Sequence, residues 1–504
     1  MKRSQVLLRN ISSNFFTQFW LLPIGFFSTP FIFHKLGVNQ YGLLVLLNTI
    51  PVYFSVLNLG IIPALIKNIS ELKVNNQNLD SILKTSFTVY FFLTIIWGLV
   101  IFLLSNLLTK TVLKIPIELK DIAIVSFKLL SLSFILSSLT NFFSAIPQAL
   151  QRFEIFNLKN LIIGTFVPLG TILLLLFQKS IIEIIYLNIF INGLTLIIFY
   201  FIAQKLLPQS YFHFNINLTS LKKILSFGIF KFISNLNTRI VFQLNEFLIA
   251  TFLPIGQVSF YSIPATLSEK VVNLLPNITT PIFPLASELH SLSLKDKLIQ
   301  LYKQSVKLVN FLITPIIIFL FFFSYKFLSL WINQDFASQA SIVLKIVSIS
   351  YLLASFPAVP VIILEGMGKP KIPTIFSTIS ALMYLTFAFI LIPKFGLMGA
   401  VLAVFFNRII QVPVFIFFTT NKILKIKEFS FYTQNYLKFI LIAIVSALFI
   451  LPMANKLESL LTLILLALIY EIIYFIFCLI SKTITKEDIK IIKDFLLKYF
   501  QKTE

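Results

Sequence analysis

The chain has 504 residues, 58% of them hydrophobic and only 12% charged, with a mean hydropathy of +0.94 and a formal net charge of +22. Soluble domains carry about 25% charged residues, so this composition excludes an ordinary soluble enzyme and points to a membrane protein. On a soluble chain the basic balance would suggest nucleic acid. Here the Lys and Arg residues sit largely at the ends of apolar runs, where they face anionic lipid instead.

About 14 apolar runs follow one another, over 13–34, 42–64, 86–107, 121–146, 157–177, 181–203, 224–252, 257–284, 306–331, 339–363, 372–393, 396–419, 435–452 and 459–480. Each is long enough to cross a hydrocarbon core of about 30 Å. They are too long and too uniformly apolar for outer-membrane strands of about ten residues. The chain is therefore expected to be an all-α polytopic membrane protein. The first run is too long for the apolar core of a signal peptide, and no small-residue cleavage site follows it.

The segment Gln204–Ser220 is the longest polar break near the middle. It divides an N-lobe of spans 1–6 (1–203) from a C-lobe of spans 7–12 (224–421), with 204–223 as a cytoplasmic linker. Spans 13 and 14 occupy 422–480, and 481–504 forms a cytoplasmic tail. In that tail Thr485 and Asp488 suit a capping box. Ile489, Ile492, Leu496 and Tyr499 would line one face, with Lys486, Lys490 and Lys493 on the other. Such an amphipathic helix rests on a membrane surface. Lys and Arg concentrate in alternate loops, among them Lys2, Arg3, Arg9, Lys67, Lys73, Lys84, Lys222, Lys223, Lys295, Lys297, Lys422, Lys425 and Lys427. That asymmetry puts both termini in the cytoplasm.

The halves are related. Lys128-Leu-Leu-Ser-Leu-Ser133 and Lys345-Ile-Val-Ser-Ile-Ser350 share a pattern at an offset of 217 residues. The same offset carries Leu36 to Leu253, Gln40 to Gln257, Ile61 to Ile278, Ser70-Glu71-Leu72 to Ser287-Glu288-Leu289, and Arg152 to Lys369. A period this long is no solenoid repeat. In a membrane protein it suggests two pseudo-symmetric six-helix lobes with a site between them, as in transporters, with spans 13 and 14 as two extra helices.

Charges within spans cost several kcal/mol unless they face a wet cavity or a partner, so they locate candidate sites. Treated as one helix, span 7 gathers Lys231, Asn235, Arg239, Gln243 and Glu246 on about one third of its surface. Span 8 clusters Thr266, Lys270, Asn273 and Asn277. Span 1 carries Asn10, Asn14 and Gln18, and the offset maps Asn14 and Gln18 onto Lys231 and Asn235. Arg408 lies near the middle of span 12. A cationic cavity of this kind would hold an anionic, phosphate-bearing substrate. Internal pairing, such as Arg239 with Glu246, would equally account for some of these groups. Lys128 and Lys345 are close enough to span ends to snorkel. Glu269 is a further in-span acid, and Glu471 lies outside the repeat with no evident partner. Pro23, Pro51, Pro264, Pro276 and Pro315 lie within spans and could kink them. Glu246, the acid on the span 7 stripe, is the candidate for proton or Na⁺ coupling.

No GxxxxGK[ST] loop, HExxH or Ser/His/Asp arrangement occurs, so neither ATPase nor other enzymatic activity is expected. Cys478 is the only cysteine, and His34, His213 and His290 are scattered, so no metal site or resident cofactor is expected.

Phe31-x-x-x-x-Leu36-Gly37-Val38-x-x-Tyr41-Gly42, followed by Leu59-Gly60, resembles the first-hairpin pattern of Wzx-type polysaccharide flippases of the multidrug/oligosaccharidyl-lipid/polysaccharide (MOP) exporter superfamily. Gln243-Leu-Asn-Glu-Phe-Leu-Ile249 through Tyr261 resembles their span 7–8 region, and Ile392-Pro-Lys-Phe-Gly396-Leu-Met-Gly399-Ala400 their loop before span 12. The resemblance implies a MATE-like fold, with two six-helix lobes in a V around a central cavity and alternating access. It implies a cargo of sugar or oligosaccharide on undecaprenyl diphosphate, flipped across the bacterial cytoplasmic membrane for surface polysaccharide such as O-antigen. Partners would be this lipid-linked cargo, membrane lipids and the polymerase or glycosyltransferase machinery, with no nucleic acid. The family often has Asp where this chain has Asn245, so an ion-coupling role would fall to Glu246. Rival readings are a lipid II flippase, a drug/cation antiporter of the same fold, which a basic cavity disfavours, and a membrane-embedded sugar transferase.

Overall fold

The structure, a computed structural model, describes residues 3–72, 79–207 and 213–485. It is helical almost throughout, with no strand among the described residues. Lipid imposes this outcome, because a backbone N–H or C=O in hydrocarbon must find its partner within its own segment.

The chain forms two compact units, one ending at Ser259 and the other beginning at Phe260. The first holds α1 (Arg3–Val56), α2 (Ile61–Leu72), α3 (Leu79–Leu107), α4 (Ile117–Ala149), α5 (Phe153–Leu176), α6 (Ile181–Leu206), α7 (Leu218–Phe242) and α8 (Leu244–Phe252). Helix α4 packs on α2, α3, α5 and α6, and α1 lies along α5. Helices α7 and α8 pack on α1, and α7 also on α2 and α3, so the first unit runs past the polar break at 204–223. Asn217 caps α7, accepting from the Ser220 amide at 3.1 Å. A capping box of Ser180 and Glu183 starts α6. Phe19, Phe166 and Phe201 stand exposed on this unit, as lipid-facing side chains must.

The second unit comprises α9 (Gly256–Val272, from Phe260 on), α10 (Leu275–Thr279), α11 (Ile282–Ser291), α12 (Lys295–Phe322), α13 (Ser324–Trp331), α14 (Gln334–Ser355), α15 (Ala358–Gly366), α16 (Lys371–Phe417), α17 (Phe429–Tyr432), α18 (Lys438–Ile450) and α19 (Leu460–Ile480). The two C-terminal helices are built into its core. Helix α18 packs on α12 and α19, and Phe439, Tyr470, Tyr474 and Cys478 are buried with Ile313 and Ile317. Asn310 donates to the Asn435 carbonyl at 2.7 Å, and the Tyr302 and Thr420 hydroxyls bond at 3.0 Å.

Ten helical stretches among the described residues are long and apolar enough to cross a membrane. Two of them are interrupted by a glycine of positive φ, and the second folds back on itself. Gly37 (φ 72°, ψ 175°) bends α1, and Gly396 (φ 58°, ψ −135°) bends α16. A Cβ on Gly399 would collide with the Leu391 carbonyl, whereas residues eight apart in a straight helix lie about 12 Å from each other. Positive φ is open to glycine without steric penalty, so these glycines, and not the in-span prolines, make the sharpest bends in the helices. The stretch with α16 holds the runs 372–393 and 396–419, whereas α1 holds 13–34 and the first part of 42–64, whose end passes through a turn into α2.

Spans 7 and 8 depart from expectation. Span 7 is not one helix: Gln243 (φ −125°, ψ −24°) separates α7 from α8. Span 8 breaks into α9, α10 and α11. The amphipathic helix expected over 485–502 lies, but for Thr485, outside the described residues.

The repeat appears in the helix boundaries. The stretch Ile117–Ala149 has 33 residues, and Gln334–Gly366, also 33, begins and ends 217 positions later. The last residue of α6, Leu206, likewise corresponds to Ile423, which ends the stretch containing α16. Lys128 and Lys345 occupy matching places on α4 and α14. Each offers its carbonyl to a serine three residues on, Ser131 at 2.6 Å and Ser348 at 3.2 Å.

Candidate functional site

The polar groups of the first unit fall into three places. The first is the seam between α1 and α5. Asn157, 4% exposed, donates to Asn14 Oδ1 at 2.7 Å and to Ser13 Oγ at 3.0 Å. Arg9 pairs with Glu154 at 3.2 Å, and Trp20 Nε1 donates to Thr165 at 3.0 Å. Asn14 is thus engaged with α5, while Gln18 is half-buried one turn further along α1. Interhelical hydrogen bonds of this kind are worth about 0.6 kcal/mol on average within membranes. The seam therefore fixes the register of the two helices more than it stabilises the unit.

The second place is the junction of α7 and α8. Arg239 Nη1 donates to Gln243 Oε1 at 2.7 Å. The Tyr53 hydroxyl, from α1, donates to the Gln243 carbonyl, and its ring meets Phe247 edge-on at 6.4 Å. Asn245 and Glu246 are buried, 1% and 8% exposed, in the first turn of α8. The helical wheel holds only as far as Phe242. Asn235 and Arg239 share a face of α7, while Glu246 belongs to a separate helix whose direction the break resets. Lys231 is on α7, but its side chain lies outside the described ones, as do those of Asn10 and Asn277.

The third place was not singled out from the sequence. Lys159, seven residues into α5, reaches α4, donating to Asn141 Oδ1 at 2.8 Å and Ser144 Oγ at 3.4 Å. Its ammonium lies 5.0 Å from the Phe156 ring centre, within cation–π range. No carboxylate pairs with it among the described residues. Its place at the start of an apolar run made it look like an end charge.

In the second unit, Lys270 is exposed in the last turn of α9. Asn273 is exposed in the turn that follows, so the span 8 stripe also ends at a break. Arg408 is 7% exposed on the second leg of α16, within electrostatic reach of Tyr351 and Tyr261. Its neighbour Asn407 is fully buried and donates to Ser380 at 3.0 Å. Lys128, in the first unit, lies 5.7 Å from the Phe102 ring.

The motif glycines have packing roles. Gly228 on α7 sits against the turn before α2, where an added Cβ would lie 2.6 Å from the Leu59 carbonyl oxygen, and Gly60 meets the Gly228 backbone in return. Gly42 abuts the Ile255 carbonyl, and Ser259 Oγ donates to the Val38 carbonyl at 2.7 Å. Membrane helices that approach this closely need small residues at the contact.

Comparison with known proteins matches residues 36–341 to the polysaccharide biosynthesis protein family and 294–390 to the MatE family. A Shigella flexneri protein named as an O-antigen transporter is 22% identical over 381 residues, covering 75% of this chain and 88% of that protein. Among solved structures, the lipid II flippase MurJ in an inward closed conformation superposes with a TM-score of 0.74 at 16% identity, covering 94% of this chain and 99% of that one. An inward-facing multidrug resistance MATE family transporter of the MOP superfamily gives a TM-score of 0.69 at 15% identity over 80% of this chain and 96% of that one.

Proposed function

The chain belongs to the polysaccharide biosynthesis protein family and has the MOP-superfamily fold, and on that premise we propose that it flips a sugar or oligosaccharide on undecaprenyl diphosphate across the bacterial cytoplasmic membrane. The cargo moves from the inner to the outer leaflet by alternating access, with both termini in the cytoplasm. The reading is supported above all by cations set well inside apolar helices. Arg408 lies about three turns from the Gly396 reversal, and Lys159 lies within α5, a helix of membrane-crossing length in the first unit. A membrane interior retains such charges where they serve a ligand or a pathway. A diphosphate carries the complementary charge, and Lys and Arg bind it with strong, charge-assisted hydrogen bonds. Lys and Arg would repel the cationic cargo of a drug antiporter.

The sugar would be handed on to polymerase or glycosyltransferase partners. Movement would be driven without nucleotide, by a proton or Na⁺ gradient acting through Glu246. The test is reconstitution. Proteoliposomes carrying the purified protein and a fluorescent undecaprenyl-diphosphate oligosaccharide should expose the sugar to an impermeant glycosidase faster than empty vesicles do. Equal exposure in both, together with export of organic cations, would overturn the reading.

A further inference from the structure

Lys159 has three donors and a full charge, yet the groups that receive them are neutral: Asn141 Oδ1 and Ser144 Oγ. The carboxylate nearest in sequence, Glu154, is already engaged by Arg9 and Arg152, at 3.2 and 3.3 Å. Lys159 is half-buried as a residue, with its stem partly exposed on the unit.

The second half of the chain shows that the packing does not require this set. At the 217-residue offset, Lys159 corresponds to Phe376, Asn141 to Ala358 and Ser144 to Val361. Phe376 packs on Phe415 and Phe418, with ring centres 5.1 and 5.4 Å apart. The stretches 117–149 and 334–366 share their outer ends, and although the second breaks at Phe356–Pro357, just before the counterpart of Asn141, it fills the matching positions with apolar residues. A lysine, an asparagine and a serine retained in one half alone, at the energetic cost of an embedded charge, call for a role other than packing.

We propose that Lys159, held by Asn141 and Ser144, is a phosphate-binding site on the first unit, and that it takes the diphosphate of the lipid-linked cargo. This rests on the flippase reading. Asn141 and Ser144 orient the ammonium, and the phosphate supplies the negative charge that the protein does not. The Asn141 amide N–H and the Ser144 hydroxyl can turn to donate to the same oxygens.

The experiment measures binding of undecaprenyl diphosphate, and separately of phosphatidylglycerol, to the purified full-length protein in neutral detergent by native mass spectrometry. Lys159→Met should weaken diphosphate binding about tenfold or more, as expected for loss of a charge-assisted contact, and Lys159→Arg should recover most of it. The triple variant Lys159→Phe, Asn141→Ala, Ser144→Val installs the set the other half tolerates, and should fold while binding as weakly as Lys159→Met. If the triple variant folds and binds diphosphate like the parent, the inference is wrong. If the parent binds phosphatidylglycerol through Lys159 but ignores the diphosphate, the phosphate site stands as a lipid site, and the assignment of cargo to it falls. If the parent flips cargo and Lys159→Met binds and flips equally well, the flippase reading survives and this inference does not.

Discussion

Arg239 gives its Nη1 hydrogen to Gln243 Oε1, and Gln243 is the residue at which α7 ends and α8 begins. The cation is therefore anchored at a break in the helix, with Tyr53 holding the same residue from α1. A charge tied to a junction is well placed to feel, and to resist, a change in the angle between the two helices.

If Arg239 and Lys270 act on an anionic cargo, their loss should spare the fold and not the transport. The double variant Arg239→Gln, Lys270→Gln is expected to reach normal membrane levels while exporting less than a tenth, roughly, of the parent's lipid-linked sugar. Surface polysaccharide and protein abundance measured in the same cells make the comparison. Full export by the double variant would show that these cations do not meet the cargo.

Glu246 is buried at the start of α8. It is the acid through which we propose that an ion gradient acts on transport. Glu246→Gln is expected to uncouple transport from imposed gradients in proteoliposomes. Parent and variant that transport at the same rate, both indifferent to proton and Na⁺ gradients, would remove Glu246 from the mechanism.

The contact of Gly228 with the Leu59–Gly60 turn leaves no room for a methyl group. Gly228→Ala should destabilise the first unit by about 1–3 kcal/mol, the usual cost of overpacking, and lower the melting temperature in detergent. Gly25→Ala is the control, since nothing lies within 4 Å of a Cβ there. Equal melting temperatures for the two variants would contradict the contact.

The proposed topology, with both termini in the cytoplasm, puts His213 on the cytoplasmic side. In a Cys478→Ser background, His213→Cys should react with an impermeant maleimide only after the cells are opened. Labelling of intact cells would reverse the topology.

Much of this architecture can be read from residue order, because the bilayer is a demanding solvent. Runs such as 121–146 and 459–480 fall within α4 and α19, and the offset linking Lys128 to Lys345 reappears in the ends of whole helices. Gly37 and Gly396 were visible as motif members, and positive φ explains why glycine stands there. The break at Gln243 was not legible. No proline or glycine occurs between Arg239 and Phe247, and the residues that hold the break include Tyr53, 190 positions away. The contact of Asn14 with Asn157 was hidden for the same reason, since a helical wheel shows which residues share a face and not what that face meets. Lys159 was passed over because hydropathy treats the first residues of a run as its edge, while the neighbouring helix reaches past that edge to supply Asn141.

The bend at Gly37 and the reversal at Gly396 spend a single residue each on changing direction. Proteases and antibodies need several residues of pliable chain to grip, and neither bend offers any. An epitope tag inserted at Gly396 would pry apart the two legs of α16, which touch through their backbones at Leu391 and Gly399. Reporter insertions should therefore be rejected at Gly396, and near Phe214 as well, where the ring packs on Phe87, Phe91 and Phe92 and the Asn215 backbone bonds to Thr88. A library of random insertions would read out the same map, as a pattern of forbidden and permitted sites.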